Sequence, residues 1–320
     1  MGNLMRNNSL KVTSHVGRDL LASAASFKTE QAVIWEYVVN SLQYVDEGVT
    51  PSVQVLVSQR EHRVEIRDNG RGVATREFAR EERFNTVWTQ ELNDVFADVA
   101  PYYDRANYIA SLGLWGWFLR RFMATVDVHP HERVLDVCAG TNAIGIALLR
   151  REPTLEVHAI DRSAEMQKVG GEAAAKLGFH IKSVIDDVHK LPFADNSFDV
   201  ATLQFASRHL RVRQVVSEIR RVLKPGGRFY HSDMLRPANP TVEQLYYAYL
   251  RFCLWFTGFV FRSGPAALNC KEYFIQALQM FYSAQELTDM LEDVGFQDVT
   301  SSTVFHGMLG FHRAVKPPSA

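Results

Sequence analysis

The sequence predicts a doubly wound α/β fold on a mostly parallel sheet, with a small α+β unit in front of it. Three observations predict it. From Arg133 onward, short apolar runs alternate with stretches of helical periodicity, the pattern of strands and crossover helices. The first of those runs ends in an acid and a small-residue turn that opens a helix. A chain of 320 residues, 47% hydrophobic and 22% charged, can bury a full core and leave room for a second unit.

Taken in order, residues 1–90 make up the front unit. Ala32, Val33, Trp35, Tyr37, Val38 and Leu42 recur at helical spacing between Thr29 and Gln43, and Val53 to Ser58 and Arg63 to Arg67 alternate as strands. Residues 91–320 make up the large domain. It is led by a helical, aromatic region over 91–127 that holds Tyr102, Tyr103, Tyr108, Trp115, Trp117, Phe118 and Phe122. Then come RVLDV and a helix through Leu149, EVHAI and a helix through Leu177, IKSVI, and FDVATLQF with a helix through Leu223. After the turn Lys224-Pro225-Gly226-Gly227, the stretch GGRFYHSDML supplies the next strand. Runs this apolar suit strands covered on both faces. The most apolar stretch, FCLWFTGFVF from Phe252 to Phe261, falls well short of the roughly 20 residues that span a bilayer. It reads either as a buried helix or as an apolar wall that takes a substrate tail at a membrane surface.

A net charge of -1 lacks the basic excess that phosphate contacts need, which argues against a nucleic-acid partner. Cys138, Cys253 and Cys270 are odd in number and far apart, in no metal-ligand spacing, which fits a reducing compartment. His129 and His131 flank Pro130 with no third ligand near, so they read as a turn, and no metal is expected. The start, MGNLMRNNSLKV, has no apolar run after its positive charge, so a cytoplasmic location is expected.

Chemistry concentrates at three successive strand ends. Asp136 precedes the turn Cys138-Ala139-Gly140-Thr141-Asn142, whose small residues let a ligand approach the backbone. Asp161, followed by Arg162 and Met166, ends the second strand, where a carboxylate can accept from a ribose diol. Asp186 and Asp187, with Val188, end the third, where a carboxylate can accept from an adenine amino group. Each acid alone would pass as a helix N-cap. Together with DNSFDV and RVLKPGG they resemble the Rossmann-like class I methyltransferases. That resemblance implies S-adenosylmethionine as cofactor, held by Asp136, Gly140, Thr141, Asn142, Asp161, Arg162, Met166, Asp187, Val188 and Gln204. The loop lacks the G-x-G-x-x-G spacing of hydride-transfer cofactors. Asn142 stands where the family usually has glycine.

A narrower resemblance covers about two thirds of the chain. APYYDRANYIASLG, LPFADNSFDVATLQFASRHL, EIRRVLKPGGRFYHSDMLRP and GMLGFHRAVKP are similar to the ubiquinone/menaquinone-biosynthesis C-methyltransferases. The resemblance implies C-methylation of a reduced, demethylmenaquinol-like quinone or a related prenylated phenol. Arg208 would then hold or acidify the phenol, His209 would act as a base where the family has Asn, and Tyr103 and Asn107 would meet ring or cofactor. Gln204 stands where the family has Ser beside the cofactor. Rival readings are O- or N-methylation of another small aromatic or lipid acceptor, and a non-catalytic module that keeps the cofactor fold with a nucleotide-sensing front unit. The implied partners are a hydrophobic aromatic small molecule, a membrane surface contacted peripherally, and a second copy of the chain.

The front unit resembles part of a gyrase/histidine-kinase/MutL-type ATPase fold. Glu36 and Asn40 in WEYVVNS share a helix face, and Asp68, Gly70 and Gly72 lie in DNGRGV. The resemblance implies that these five would touch a nucleotide. No second glycine-rich lid follows Val73, so a remnant used for packing or dimerisation is expected in place of ATP hydrolysis.

Overall fold

The computed structural model describes residues 53–58, 63–68, 75–237, 239–260 and 271–318. The chain divides into two compact units, Met1–Glu82 and Arg83–Ala320. In the first, β1 (Val53–Ser58) and β2 (Arg63–Asp68) pair antiparallel with Val53 opposite Asp68. Helix α1 (Thr75–Thr86) follows them. The expected helix over 29–43, with Glu36 and Asn40, lies outside the described residues, as do Gly70 and Gly72; Asp68 is the last residue of β2.

In the second unit the aromatic lead-in folds as α2 (Leu92–Val99), α3 (Tyr103–Ala110) and α4 (Trp115–Met123). The chain turns between α3 and α4 through Leu112 and Gly113, both in left-handed conformation. Strands and helices then alternate: β3 (Arg133–Val137), α5 (Ala143–Arg151), β4 (Glu156–Asp161), α6 (Ala164–Ala175), β5 (Lys182–Ile185), β6 (Phe198–Gln204), α7 (Val212–Val222) and β7 (Leu223–Met234). Helices α8 (Pro240–Val260), α9 (Lys271–Gln279) and α10 (Ala284–Asp293) lead to β8 (Gln297–Val304) and β9 (Leu309–Val315).

The sheet runs in the order β5-β4-β3-β6-β7-β9-β8. Strands β3 to β7 pair in parallel, and β9 lies antiparallel between β7 and β8. Sheet alternation sends Leu135, Ala201 and Phe229 to one core and Val134, Val200 and Tyr230 to the other. Helix α7 covers the first face because Val212, Val215, Val216, Ile219 and Val222 recur at i, i+3, i+4, i+7 and i+10, all buried. Helix α10 starts where Ser283 and Glu286 cap each other's backbone N–H. The strand order reverses beside β3, so β3, β4 and β6 open their carboxyl ends onto one crevice.

Two expectations change. The Lys224-Pro225-Gly226-Gly227 segment lies inside β7 as an irregularity: Gly226 N–H donates to the Lys316 carbonyl and Lys316 N–H to the Gly227 carbonyl. Its partner is the end of β9, far away in sequence. The buried-helix reading of Phe252–Phe261 fails over its described part. Cys253 is buried, but Phe252, Trp255, Phe256, Phe259 and Val260 are exposed on α8.

Candidate active site

The turn after β3 is built from three residues in left-handed backbone: Cys138 (φ 55°), Gly140 (φ 51°) and Asn142 (φ 58°). Asparagine tolerates that region better than other side chains, so Asn142 satisfies the geometry a glycine would. The loop is braced from α6. Gln167 donates from Nε2 to the Gly140 carbonyl at 2.9 Å and to Asn142 Oδ1 at 3.1 Å, while Ser183 Oγ donates to its Oε1 at 2.6 Å. A Cβ on Gly170 would lie 2.6 Å from the Thr141 carbonyl carbon, so only glycine lets α6 come this close. Neither Gln167 nor Gly170 was singled out from sequence. Their signal is a buried polar residue and a glycine three apart on the face of α6 that turns to the loop.

Asp161 ties the loop to β4. Its Oδ2 accepts from Gly140 N–H at 2.8 Å and its Oδ1 from Ser163 N–H at 2.9 Å. Burial raises its carboxyl despite those bonds. Asp136 is 2% exposed, and Oδ1 accepts from Thr202 Oγ1 at 2.7 Å. Burial pushes its carboxyl up to about 7, against the pull of Thr202 and the Gly145 N–H. At Asp187 burial also acts upward, but the N–H and ring of His189 outweigh it and hold the carboxylate below its usual value. His189 takes the Arg211 N–H on Nε2, so its Nδ1–H is the one that faces Asp187.

These groups share one crevice of two connected parts, about 700 Å³ and 400 Å³ of open space. The larger part is lined by Gly140, Asp161, Arg162, Met166, Asp187 and Val188 on one side. Tyr103, Gln204, Phe205 and His209 line it on the other. The smaller is lined by Asp136, Thr141, Asp104 and Trp115, and Tyr103, Gly140, Gln204 and Phe205 border both. Asn142 is fully buried beneath the loop, and neither it, Asn107 nor Arg208 is on the wall.

The far wall is aromatic. Trp115 stacks on Phe205 at 5.0 Å between centroids and meets Tyr103 edge-on at 6.4 Å. Burial raises the Tyr103 phenol while the Arg208 guanidinium pulls it down. Arg208 itself is paired with Asp233 and donates to the Phe205 carbonyl at 2.9 Å. His209 has its Nδ1 engaged at 2.7 Å with the Tyr273 hydroxyl, which also accepts from Trp88 Nε1. Trp115 comes from the aromatic lead-in the sequence shows, while Asp104 and Phe205 were missed as wall residues. The lead-in helices approach the sheet edge from a distant stretch of chain, and no spacing encodes that.

Seven strands in the order β5-β4-β3-β6-β7-β9-β8, with β9 alone antiparallel and strand-end acids at the crevice, make the class I methyltransferase fold. The chain belongs to the ubiE/COQ5 methyltransferase family, whose sequence profile matches residues 84–316. It is 33% identical over 233 residues to the demethylmenaquinone methyltransferase of Anoxybacillus flavithermus, covering 71% of this chain and 96% of that one. It is equally similar, at 33% over 234 residues, to the demethylmenaquinone methyltransferase of Staphylococcus aureus, with 72% and 95% covered. A methyltransferase solved in complex with the Haloferax volcanii Trm112 methyltransferase activator shares the fold at 16% identity. The TM-score is 0.50, over 69% of this chain and 97% of that one.

Proposed function

We propose that this methyltransferase transfers a methyl group from S-adenosylmethionine to a ring carbon of a reduced quinone, a demethylmenaquinol or a related prenylated phenol. The observation that carries the reading is the likeness to demethylmenaquinone methyltransferases over nearly their whole length. When bound, the donor supplies an electrophilic methyl group on sulfur.

The crevice fits that donor. Asp136 is a buried carboxyl with no ion pair among the described residues, and Gln204 Nε2 is buried without a hydrogen-bond partner, a pair suited to an amino-acid ammonium and carboxylate. Gly140, Thr141 and the underlying Asn142 shape the loop against that end. Asp161 would take the ribose, Asp187 and Val188 the adenine, with Arg162 and Met166 beside them. On the acceptor side the chain must align a flat ring and favour loss of its phenolic proton, so that electron density reaches the ortho carbon. Tyr103, Trp115 and Phe205 offer the flat walls. Arg208 supplies positive charge, and Asn107 lies one turn beyond Tyr103. Proton transfer by His209 falls to Nε2, because Tyr273 holds Nδ1.

Residues 91–320 would form the catalytic domain. We read residues 1–90 as a truncated ATPase-type unit, supported by the Glu36/Asn40 pair and the DNGRGV motif at the end of β2. Titration with ATP tests it. No described helix is long and apolar enough to cross a membrane. We place the protein in the cytoplasm, resting on the membrane through the exposed aromatic face of α8. Between Glu243 and Glu272 the sequence carries Arg251, Arg262 and Lys271 and no carboxylate, charge that suits anionic lipid. A homodimer is the expected assembly.

Purified protein given methyl-labelled S-adenosylmethionine and a reduced demethylmenaquinone should place the label on a ring carbon, read by NMR. Deletion of the gene should deplete the methylated quinone in a lipid extract. A label on oxygen, or an unchanged quinone pool, overturns the reading.

A further inference from the structure

The acceptor side of the crevice ends in a tight turn that needs holding. Phe205 sits at φ 55°, a left-handed conformation that strains a non-glycine residue and persists only where its surroundings enforce it. Arg208 leaves the same turn with its side chain folded back on the Phe205 carbonyl. One group holds both. Asp233, fully buried on β7, accepts on Oδ2 from Ser207 Oγ at 2.5 Å and from Arg208 N–H at 3.3 Å. On Oδ1 it accepts from the Arg208 guanidinium and from Met234 N–H at 2.7 Å.

A second layer backs this one. Because Ser207 gives its proton to Asp233, its oxygen accepts from Nε2–H of His231, 2.8 Å away. Burial, reinforced by His312, holds the His231 imidazole well below its ordinary pKa, so it stays neutral and keeps that single-donor form. Behind it His312 donates from Nε2–H to the Ala284 carbonyl at 3.1 Å, and the two bare Nδ1 atoms face each other at 3.4 Å as a packing contact. Ser207, His231, Asp233 and His312 are each at most 2% exposed, and Asp233 meets the serine where a triad acid would meet the histidine. The composition of a nucleophilic triad is present, but neither the access nor the order of contacts is.

We propose that Asp233 is a positioning residue, fixing the Ser207–His209 turn and the Arg208 guanidinium in one conformation and thereby aligning the acceptor against Tyr103. It acts without touching the acceptor. The proposal rests on the reading of Arg208 as an acceptor-site residue. Removing the carboxylate takes the ion pair from the guanidinium and relaxes the turn, while the donor half of the crevice, built on β3, β4 and α6, keeps its contacts.

Asp233→Asn in the full chain is expected to lower kcat by about 10²-fold, the cost of an ångström-scale misplacement, with S-adenosylmethionine affinity and acceptor KM little changed. Ser207→Ala, which keeps the charge pair, is the variant to use if Asp233→Asn folds poorly. It should lower kcat by a smaller factor in the same direction. In an Arg208→Ala background, which keeps the turn's contacts to Asp233 but not the ion pair, Asp233→Asn should cost clearly less than it does alone. Wild-type kcat per folded molecule in both single variants, or additive losses in the double, overturns the proposal.

Failure of the functional reading looks different. Wild-type protein that binds S-adenosylmethionine but methylates no reduced quinone removes that reading, and positioning is then judged without an acceptor. The Arg208 Nη1–H signal in ¹⁵N-labelled protein, from the nitrogen that donates to Asp233, should be protected from exchange in the wild type and lose protection in Asp233→Asn. Equal protection in the two overturns the proposal.

Discussion

Asp136 shows how the burial of a single side chain couples stability to pH. Its carboxyl titrates at 3.8 in an open chain and is pushed up to about 7 here, because it is buried beside a hydroxyl and an N–H with no cation among the described residues. A raised folded value means its contribution to stability is complete below pH 4 and is lost as pH rises through 7. The gap corresponds to roughly 4 kcal/mol. The stability of the wild type minus that of Asp136→Asn, from urea unfolding at a series of pH values, should therefore fall between about pH 4 and 7 and level off above. A difference that rises with pH would contradict the assignment. Asn142 teaches a related lesson. Its departure from glycine looks like a defect in a one-dimensional motif, yet its φ of 58° lies where asparagine is tolerated.

At the scale of elements, α6 and α8 do opposite things with their outer faces. Helix α6 turns Gln167 and Gly170 onto the loop after β3, and the Gly170 position has no room for a methyl group. Gly170→Ala should displace Thr141 and Asn142, lowering stability by about 1–3 kcal/mol and weakening S-adenosylmethionine binding in calorimetry. Unchanged affinity would mean the loop does not shape the donor site. Helix α8 leaves Trp255 at 58% and Phe259 at 74% exposure, on one side of the helix. Replacing both with Ser should leave the melting temperature nearly unaltered, since exposed sites contribute little. It should cut co-sedimentation with anionic vesicles about tenfold or more, the worth of burying such side chains in lipid. Equal sedimentation would remove the membrane role from this face.

For the whole molecule, the family match begins at residue 84 and the second unit at Arg83. Every residue on the crevice wall falls between Leu92 and Leu210. A chain starting at Arg83 is expected to bind S-adenosylmethionine within about twofold of the full protein, the ~0.5 kcal/mol scatter of independent sites. A larger loss in titration would give the front unit a part in donor binding.

The sequence by itself determined the strand-helix alternation, the three strand-end acids and the family to which residues 84–316 belong. These are legible because a parallel strand buried on both faces must be apolar throughout, and its carboxyl end must carry the ligand-facing residues. Only the tertiary structure decided how that site is held. Gln167, Gly170, Trp115 and Asp233 act across contacts between segments far apart in the chain, such as Arg208 with Asp233 or Tyr103 with Trp115, and no local period records such pairings. Exposure of the α8 aromatics was likewise undecidable from hydropathy. An apolar helix reads the same whether its outer face meets protein, lipid or water.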